Sequence, residues 1–241
     1  MVEPVLYSFR RCPYAIRARI ALYYSGVVCE LREVVLKSKP EHMLSVSPKG
    51  TVPVLLAPSD NEQGFDLIDE SIDVIAWALR ESKDPDNWLI HSCDDELIQR
   101  CDNEFKYWLD RYKYADRYPE FDAHFYFEKA CVFLTQLEER LVSSSGTKKQ
   151  ASEACHEPQA FFIDSATVSV LDIAIFPFVR QFAFVDKNKF DALNVPKLQS
   201  WLTYFLASPI FLSVMQKYPM WVQDQTDKVV FGQLSNPEAQ K

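Results

Sequence analysis

The sequence predicts an α/β domain of order βαβαββα over residues 1–80, a linker over 81–93 and an all-α bundle over 94–241. Three observations carry that reading. Short runs rich in valine, leucine and aromatics alternate with helix-spaced segments as far as Leu79. The polar, proline-containing stretch "ESKDPDNW" then interrupts the pattern, and beyond it no convincing strand follows.

In the first domain "PVLYSF" (4–9) reads as a strand. Residues 13–26 read as a helix, with Ile16, Ile20, Tyr23, Tyr24 and Val27 at helical spacing and Gly26 as its stop. "CELREVVL" (29–36) is a second strand, so strand, helix and strand form a right-handed crossover unit with the two strands parallel. A short helix around "PEHMLSV" (40–46) leads to "SPKG". After it, "TVPVLLAP" and "FDLID" pair as a hairpin across "SDNEQG". From Ser71, "SIDVIAWALR" places Ile72, Ile75, Ala76 and Leu79 on one helical face.

In the second domain the segments 94–115, 123–142, 169–184 and 196–206 are expected to be helical, with an unpatterned tail from about Asp224. "SVLD" supplies a helix start, Ser169 as N-cap with Asp172 three residues on. The run Ala166–Val185 is interrupted by Asp172, Pro177 and Arg180. A membrane span needs about 20 nearly unbroken apolar residues, so a buried helix is expected and no membrane partner.

Composition narrows the function. A net charge of −8 and a pI near 5.1 argue against a general electrostatic grip on nucleic acid. The N-terminus lacks the basic-then-apolar pattern of an export signal, so a cytoplasmic location is expected. Six cysteines, at 12, 29, 93, 101, 131 and 155, form no CxxC pair and fit neither a disulfide scaffold nor a zinc site. The four histidines give no metal or triad pattern, and His124 has no evident partner.

The chemistry concentrates in "RRCPYAIRAR". Pro13 suits the first helical position, which makes Cys12 the N-cap. Unpaired amides and the positive end of the helix dipole then surround its sulfur and stabilise a thiolate, with Arg10 and Arg11 adding positive charge. Alanine stands at position 15, so an internal disulfide partner is missing there and the natural partner is an external thiol. In "TVPVLL" the proline belongs at a strand start or edge, which leaves Val52 a free edge for an extended, peptide-like ligand. The sequence leaves the Val52–Pro53 peptide open between cis and trans. Glu70 and Ser71 begin another helix, where amides and a hydroxyl can bind a carboxylate or simply cap the helix. Lys39 can neutralise a second carboxylate.

Together, "RCPYAIRARIAL", "KSKPEHM", "PKGTVPVLL" and "DESIDVIAWAL" resemble the N-terminal domain of glutathione transferases, most closely the cysteine-containing omega-like class. "SVLDIAIFPFVRQF" and "PKLQSWLTYFLASPIF" are similar to the family's C-terminal helices. The resemblance implies a thioredoxin-like domain followed by a helical one, with glutathione as co-substrate and a homodimer. It places Cys12 opposite the glutathione sulfur, with Tyr14 beside it. Val52 then pairs with the cysteinyl backbone ahead of a cis Pro53, Glu70 and Ser71 hold the γ-glutamyl end, and Lys39 approaches the glycyl end.

Relatives that use tyrosine or serine stabilise the glutathione thiolate with a hydroxyl. Cysteine here shifts the expectation to exchange, that is, a thiol transferase or dehydroascorbate-reductase type of enzyme acting on glutathione mixed disulfides. Conjugation of glutathione to a small electrophile, and a binding or regulatory protein with little turnover, remain alternatives. The aromatic run "FKYWLDRYKYADRYPEFDAHFYF" (105–127) offers residues for an acceptor pocket without distinguishing them from core.

Overall fold

The computed structural model describes residues 3–59, 64–143, 160–223 and 227–232. The chain forms two compact units, residues 1–86 together with 209–241, and residues 87–208.

The first unit begins with β1 (Val5–Ser8), α1 (Pro13–Tyr24), β2 (Cys29–Glu33), α2 (Glu41–Val46), β3 (Val54–Pro58), β4 (Phe65–Ile68) and α3 (Ser71–Glu81), the order the sequence predicts. β1 and β2 are parallel, with Val5 opposite Glu30. β3 runs antiparallel to β1, and β4 antiparallel to β3 with Leu55 opposite Ile68. Residues 60–63 of the predicted hairpin turn lie outside the described residues. Val5 and Tyr7 of β1 and Val54 and Leu56 of β3 follow the period of two, and with Met43 of α2 and Trp221 they build one apolar cluster. α1 packs against α3. Gly26, at φ +63°, follows α1 as the left-handed stop that glycine adopts without strain.

The second unit holds α4 (Glu96–Arg100), α5 (Lys106–Lys113), α6 (Ala123–Arg140), β5 (Leu141–Ser143), β6 (Phe161–Ile163), α7 (Val170–Ala183), α8 (Lys187–Asp191) and α9 (Pro196–Ala207). The helix expected over 94–115 carries a π-helical turn at Cys101–Phe105 between α4 and α5. Ser169 and Asp172 form a capping box at the start of α7, as expected, with the Ser169 N–H donating to Asp172 Oδ2 at 2.9 Å. α7 is buried almost all round, which accounts for its apolar sequence. Among the described residues no helix is long and apolar enough to cross a membrane.

Two expectations are corrected. Residues 94–241 are not all helical, because β5 and β6 pair as an antiparallel hairpin. Nor does the tail belong with the helices, because α10 (Pro209–Val214) and β7 (Val230–Phe231) are part of the first unit. β7 adds to the sheet edge beside β2, giving the order β4-β3-β1-β2-β7. Gly232 makes this possible. A Cβ there would lie 2.0 Å from the Val27 carbonyl oxygen, so only glycine lets the tail close so tightly on the chain before β2. A strand of two residues is too short to show any periodicity in sequence. The boundary between units falls at Asp86 and Asn87, inside the predicted linker. Residues 144–159, with Cys155, lie outside the described residues.

Candidate active site

β1 ends at Ser8, and the Cys12 N–H donates back to the Phe9 carbonyl at 2.9 Å, closing a tight turn into α1. Pro13 occupies the first helical turn. Cys12 is the N-cap, extended at φ −77° and ψ 124°, and its carbonyl accepts the Ile16 N–H at 2.9 Å. The half-buried thiol lies 3.7 Å from the Val52 carbonyl oxygen, next to a cis Val52–Pro53 peptide. Val52 sits before the β3 ladders, so its backbone borders the thiol rather than pairing within the sheet.

A carboxylate at the far end of β2 fixes the cysteine turn. Glu33 Oε1 accepts the Arg10 N–H at 2.7 Å, and Oε2 pairs with the Arg19 guanidinium. Arg19, fully buried in α1, also donates from Nε to Ser8 Oγ at 2.8 Å and from Nη1 to the Val214 carbonyl at 3.2 Å. Burial pulls the Arg19 guanidinium below its ordinary range, and Glu33 opposes that pull. The expected grouping of Arg10 and Arg11 around the sulfur takes a different form. The Arg10 guanidinium donates to the Met215 carbonyl at 3.3 Å, and that of Arg11 lies over the Phe9 ring at 5.3 Å.

The loop bearing Val52 is tied to the one bearing Glu70. Ser47 Oγ donates to Asp69 Oδ2 at 3.0 Å, and Gly50, at φ +62°, donates its N–H to the Ser47 carbonyl at 2.9 Å. A Cβ at Gly50 would meet Leu44 Cδ2 at 3.2 Å and Lys39 Nζ at 3.7 Å, which places the Lys39 ammonium against this turn. Glu70 is the N-cap of α3 but gives its first turn no side-chain hydrogen bond; its carboxylate pairs instead with Lys49. Both partners are largely exposed, so this pair contributes little stability and is readily exchanged. Ser71, the first residue of α3, is buried and accepts from Arg17 Nη1 at 3.3 Å. The Tyr14 ring lies 5.4 Å from the same guanidinium.

Sequence reasoning missed Arg17, Arg19, Glu33, Ser47, Lys49 and Asp69. For the two arginines a signal existed, since "RARIAL" puts cations into a helix whose every face is otherwise apolar or small. The others are ordinary polar residues until the fold brings them together. Of the other thiols, Cys29 and Cys131 are pushed up to about 12 by burial. The aromatic run divides. Phe105, Tyr112 and Phe127 are buried against Phe133 and Phe182, whereas Tyr107 and Phe121 are exposed. His124 has a partner after all, Glu128 one turn on at 3.3 Å, and both are exposed.

Residues 6–86 match the family model of the glutathione S-transferase N-terminal domain. The rat glutathione S-transferase omega-1 is 27% identical over 208 residues, covering 85% of this chain and 77% of the relative. The chain is thus similar to glutathione S-transferases in its N-terminal third and, at lower identity, over most of its length. Its fold agrees. A glutathione transferase family member from Pseudomonas fluorescens, solved with two glutathione bound, superposes with a TM-score of 0.67 at 19% identity, over 88% of this chain and 92% of that one. Glutathione transferase Omega 3C from Trametes versicolor gives 0.65 at 17% identity over 91% of each. Residues 6–86 of the first unit are therefore similar to the thioredoxin-like N-terminal domain of glutathione transferases, and the likeness at the level of curated sequences is to the omega class.

Proposed function

We propose that this chain is a glutathione-dependent thiol transferase in which Cys12 forms a mixed disulfide with glutathione. The observation that supports it best is the Cys12 thiol at the N-cap of α1, 3.7 Å from the Val52 carbonyl beside cis Pro53. A hydroxyl at that place can only polarise the glutathione sulfur, whereas a thiolate can attack it when it is held in a disulfide, displacing the other sulfur as a thiolate.

Glutathione lies extended across the first unit. Val52 pairs with its cysteinyl backbone, and Ser71 and the first amides of α3 take its γ-glutamyl carboxylate. Glu70 exchanges Lys49 for the ligand's ammonium, Lys39 takes the glycyl carboxylate, and Tyr14 flanks the sulfur. In the first step the Cys12 thiolate attacks the glutathionyl sulfur of a mixed disulfide. The S–S bond breaks and the acceptor leaves as a thiolate that takes a proton from water. In the second, a glutathione thiolate attacks the glutathionyl sulfur bound to Cys12, releasing glutathione disulfide and regenerating Cys12. The amides at the start of α1 stabilise each departing or resting Cys12 thiolate. Ala15 stands where a resolving cysteine would be needed, so the second glutathione is obligatory.

Parallel assays of mixed-disulfide reduction and aryl-halide conjugation on wild type and Cys12→Ala test this reading. It expects reduction to vanish in the variant; reduction at the wild-type rate would return Cys12 to a structural turn residue. A homodimer is proposed with it, and light scattering at micromolar concentration would show twice the chain mass.

A further inference from the structure

We propose that Trp221, in the tail that follows α10, is a positioning residue for Cys12, holding the turn that sets the thiol at the start of α1. The inference rests on the reading of Cys12 as the reactive thiol and adds to that site the C-terminal part of the first unit.

Three main-chain groups of the tail meet the two arginines and the carboxylate that shape the cysteine turn. The Val214 carbonyl accepts from Arg19 Nη1 at 3.2 Å, and the Met215 carbonyl from Arg10 Nη1 at 3.3 Å. The Trp221 N–H donates to the Glu33 carbonyl at 2.8 Å, next to a parallel bridge between Met220 and Glu33. Glu33 in turn accepts the Arg10 N–H and pairs with Arg19. The tail and the turn into α1 thus share one hydrogen-bonded set, closed through Glu33.

The indole fixes the tail in this place. The Arg32 guanidinium carbon lies 4.5 Å from its ring centroid, Tyr7 meets it edge-on at 5.9 Å, and its N–H donates to the Glu30 carboxylate. Trp221 also belongs to the apolar cluster against which Phe9 and Cys12 pack. Removing the ring leaves a void in that cluster and frees the stretch of tail that holds Glu33. The amides of α1 act on an anion only within the first helical turn, so a sulfur that drifts from them loses thiolate stabilisation. The thiol then ionises at higher pH.

Phe231 supplies a matched control. It is buried in the same tail but pairs with Cys29 at the opposite end of β2, roughly 13 Å from Glu33 at about 3.3 Å per strand residue.

Iodoacetamide labelling of Cys12 as a function of pH, read by peptide mapping, tests this in wild type, Trp221→Ala, Trp221→Phe and Phe231→Ala. Trp221→Ala is expected to slow labelling about fivefold on the acid side of the profile and to leave it unchanged on the alkaline side, because the rate follows the thiolate fraction. The midpoint then moves up by about 0.7 unit. Trp221→Phe keeps a ring over Arg32 and should restore most of the wild-type profile; Trp221→Leu carries the test if Trp221→Ala does not fold. Phe231→Ala should lower the urea midpoint without moving the profile. An unmoved profile in Trp221→Ala, or in Trp221→Leu in its place, would overturn the proposal. So would a loss by the same factor at every pH, or an equal displacement in Phe231→Ala. Wild-type Cys12 that labels no faster than a peptide cysteine below pH 8 would overturn the reading of the thiol itself, and this inference with it.

Discussion

The carboxylate of Glu33 accepts the backbone N–H of Arg10 at 2.7 Å while its other oxygen pairs with the buried guanidinium of Arg19. One side chain at the end of β2 thereby sets both the turn that presents Cys12 and the helix that follows. Glu33→Gln removes the negative charge and leaves Arg19, fully buried, without its counter-ion. The expected loss is about 3 kcal/mol of stability, read from urea denaturation. Because the turn loosens, the rate of Cys12 alkylation should fall in the folded variant as well.

Thiol reactivity should be ordered by environment. Cys29 and Cys131 are pushed up to about 12 by burial and hold almost no thiolate near neutral pH. Cys12 sits half-buried at a helix N-terminus. Iodoacetamide below pH 8 is expected to modify Cys12 first, with the reaction lost in Cys12→Ser. Prior labelling of Cys29 or Cys131 on peptide mapping would contradict this.

At the proposed γ-glutamyl end, Ser71→Ala removes a hydroxyl for the carboxylate and Glu70→Ala removes the partner for an ammonium. Each should weaken glutathione binding by roughly 1–3 kcal/mol in a calorimetric titration. Ser47→Ala acts more remotely, by releasing Asp69 and the turn that leads to Val52, and should affect affinity less than either.

The buried acid of the second unit predicts a pH dependence of stability. Asp172 is raised from 3.8 to about 6 because burial outweighs the hydrogen bonds it accepts from Trp201, Ile163 and Ser169. The folded state thus holds this proton more tightly than the unfolded chain does. Its stabilising contribution is complete below about pH 4 and is lost as pH rises through about 6, a change of about 3 kcal/mol at roughly 1.4 kcal/mol per unit. The stability difference between wild type and Asp172→Asn should therefore narrow by that order between pH 4 and pH 7 in denaturant titrations. A difference independent of pH would contradict the assignment.

The parts of the fold that were legible in sequence are those with a local cause. Pro13 and Gly26 bracket α1, Ser169 and Asp172 open α7, and alternating valines and leucines mark β3. The candidate site residues Cys12, Val52, Glu70 and Ser71 could be proposed from sequence for the same reason, since each stands at or just before the start of an element. What supports them could not. Glu33, Arg17, Arg19 and Asp69 act across 11 to 195 residues of chain, through contacts that exist only once the first unit is assembled. The tail was misread because β7 is two residues long and owes its place to a pre-existing edge of β2 and to Gly232, not to its own propensity.

The most direct test of the account is the intact mass of the protein after incubation with glutathione disulfide, followed by peptide mapping. The thiolate at the α1 N-cap should attack one sulfur and release the other glutathione as a thiol, so the chain should gain a single glutathionyl group. Mapping should place that group on Cys12, excess reduced glutathione should remove it, and Cys12→Ala should not acquire it while still binding glutathione. Wild type that gains no glutathionyl group, or gains one on another cysteine while Cys12 stays unmodified, would contradict the central claim.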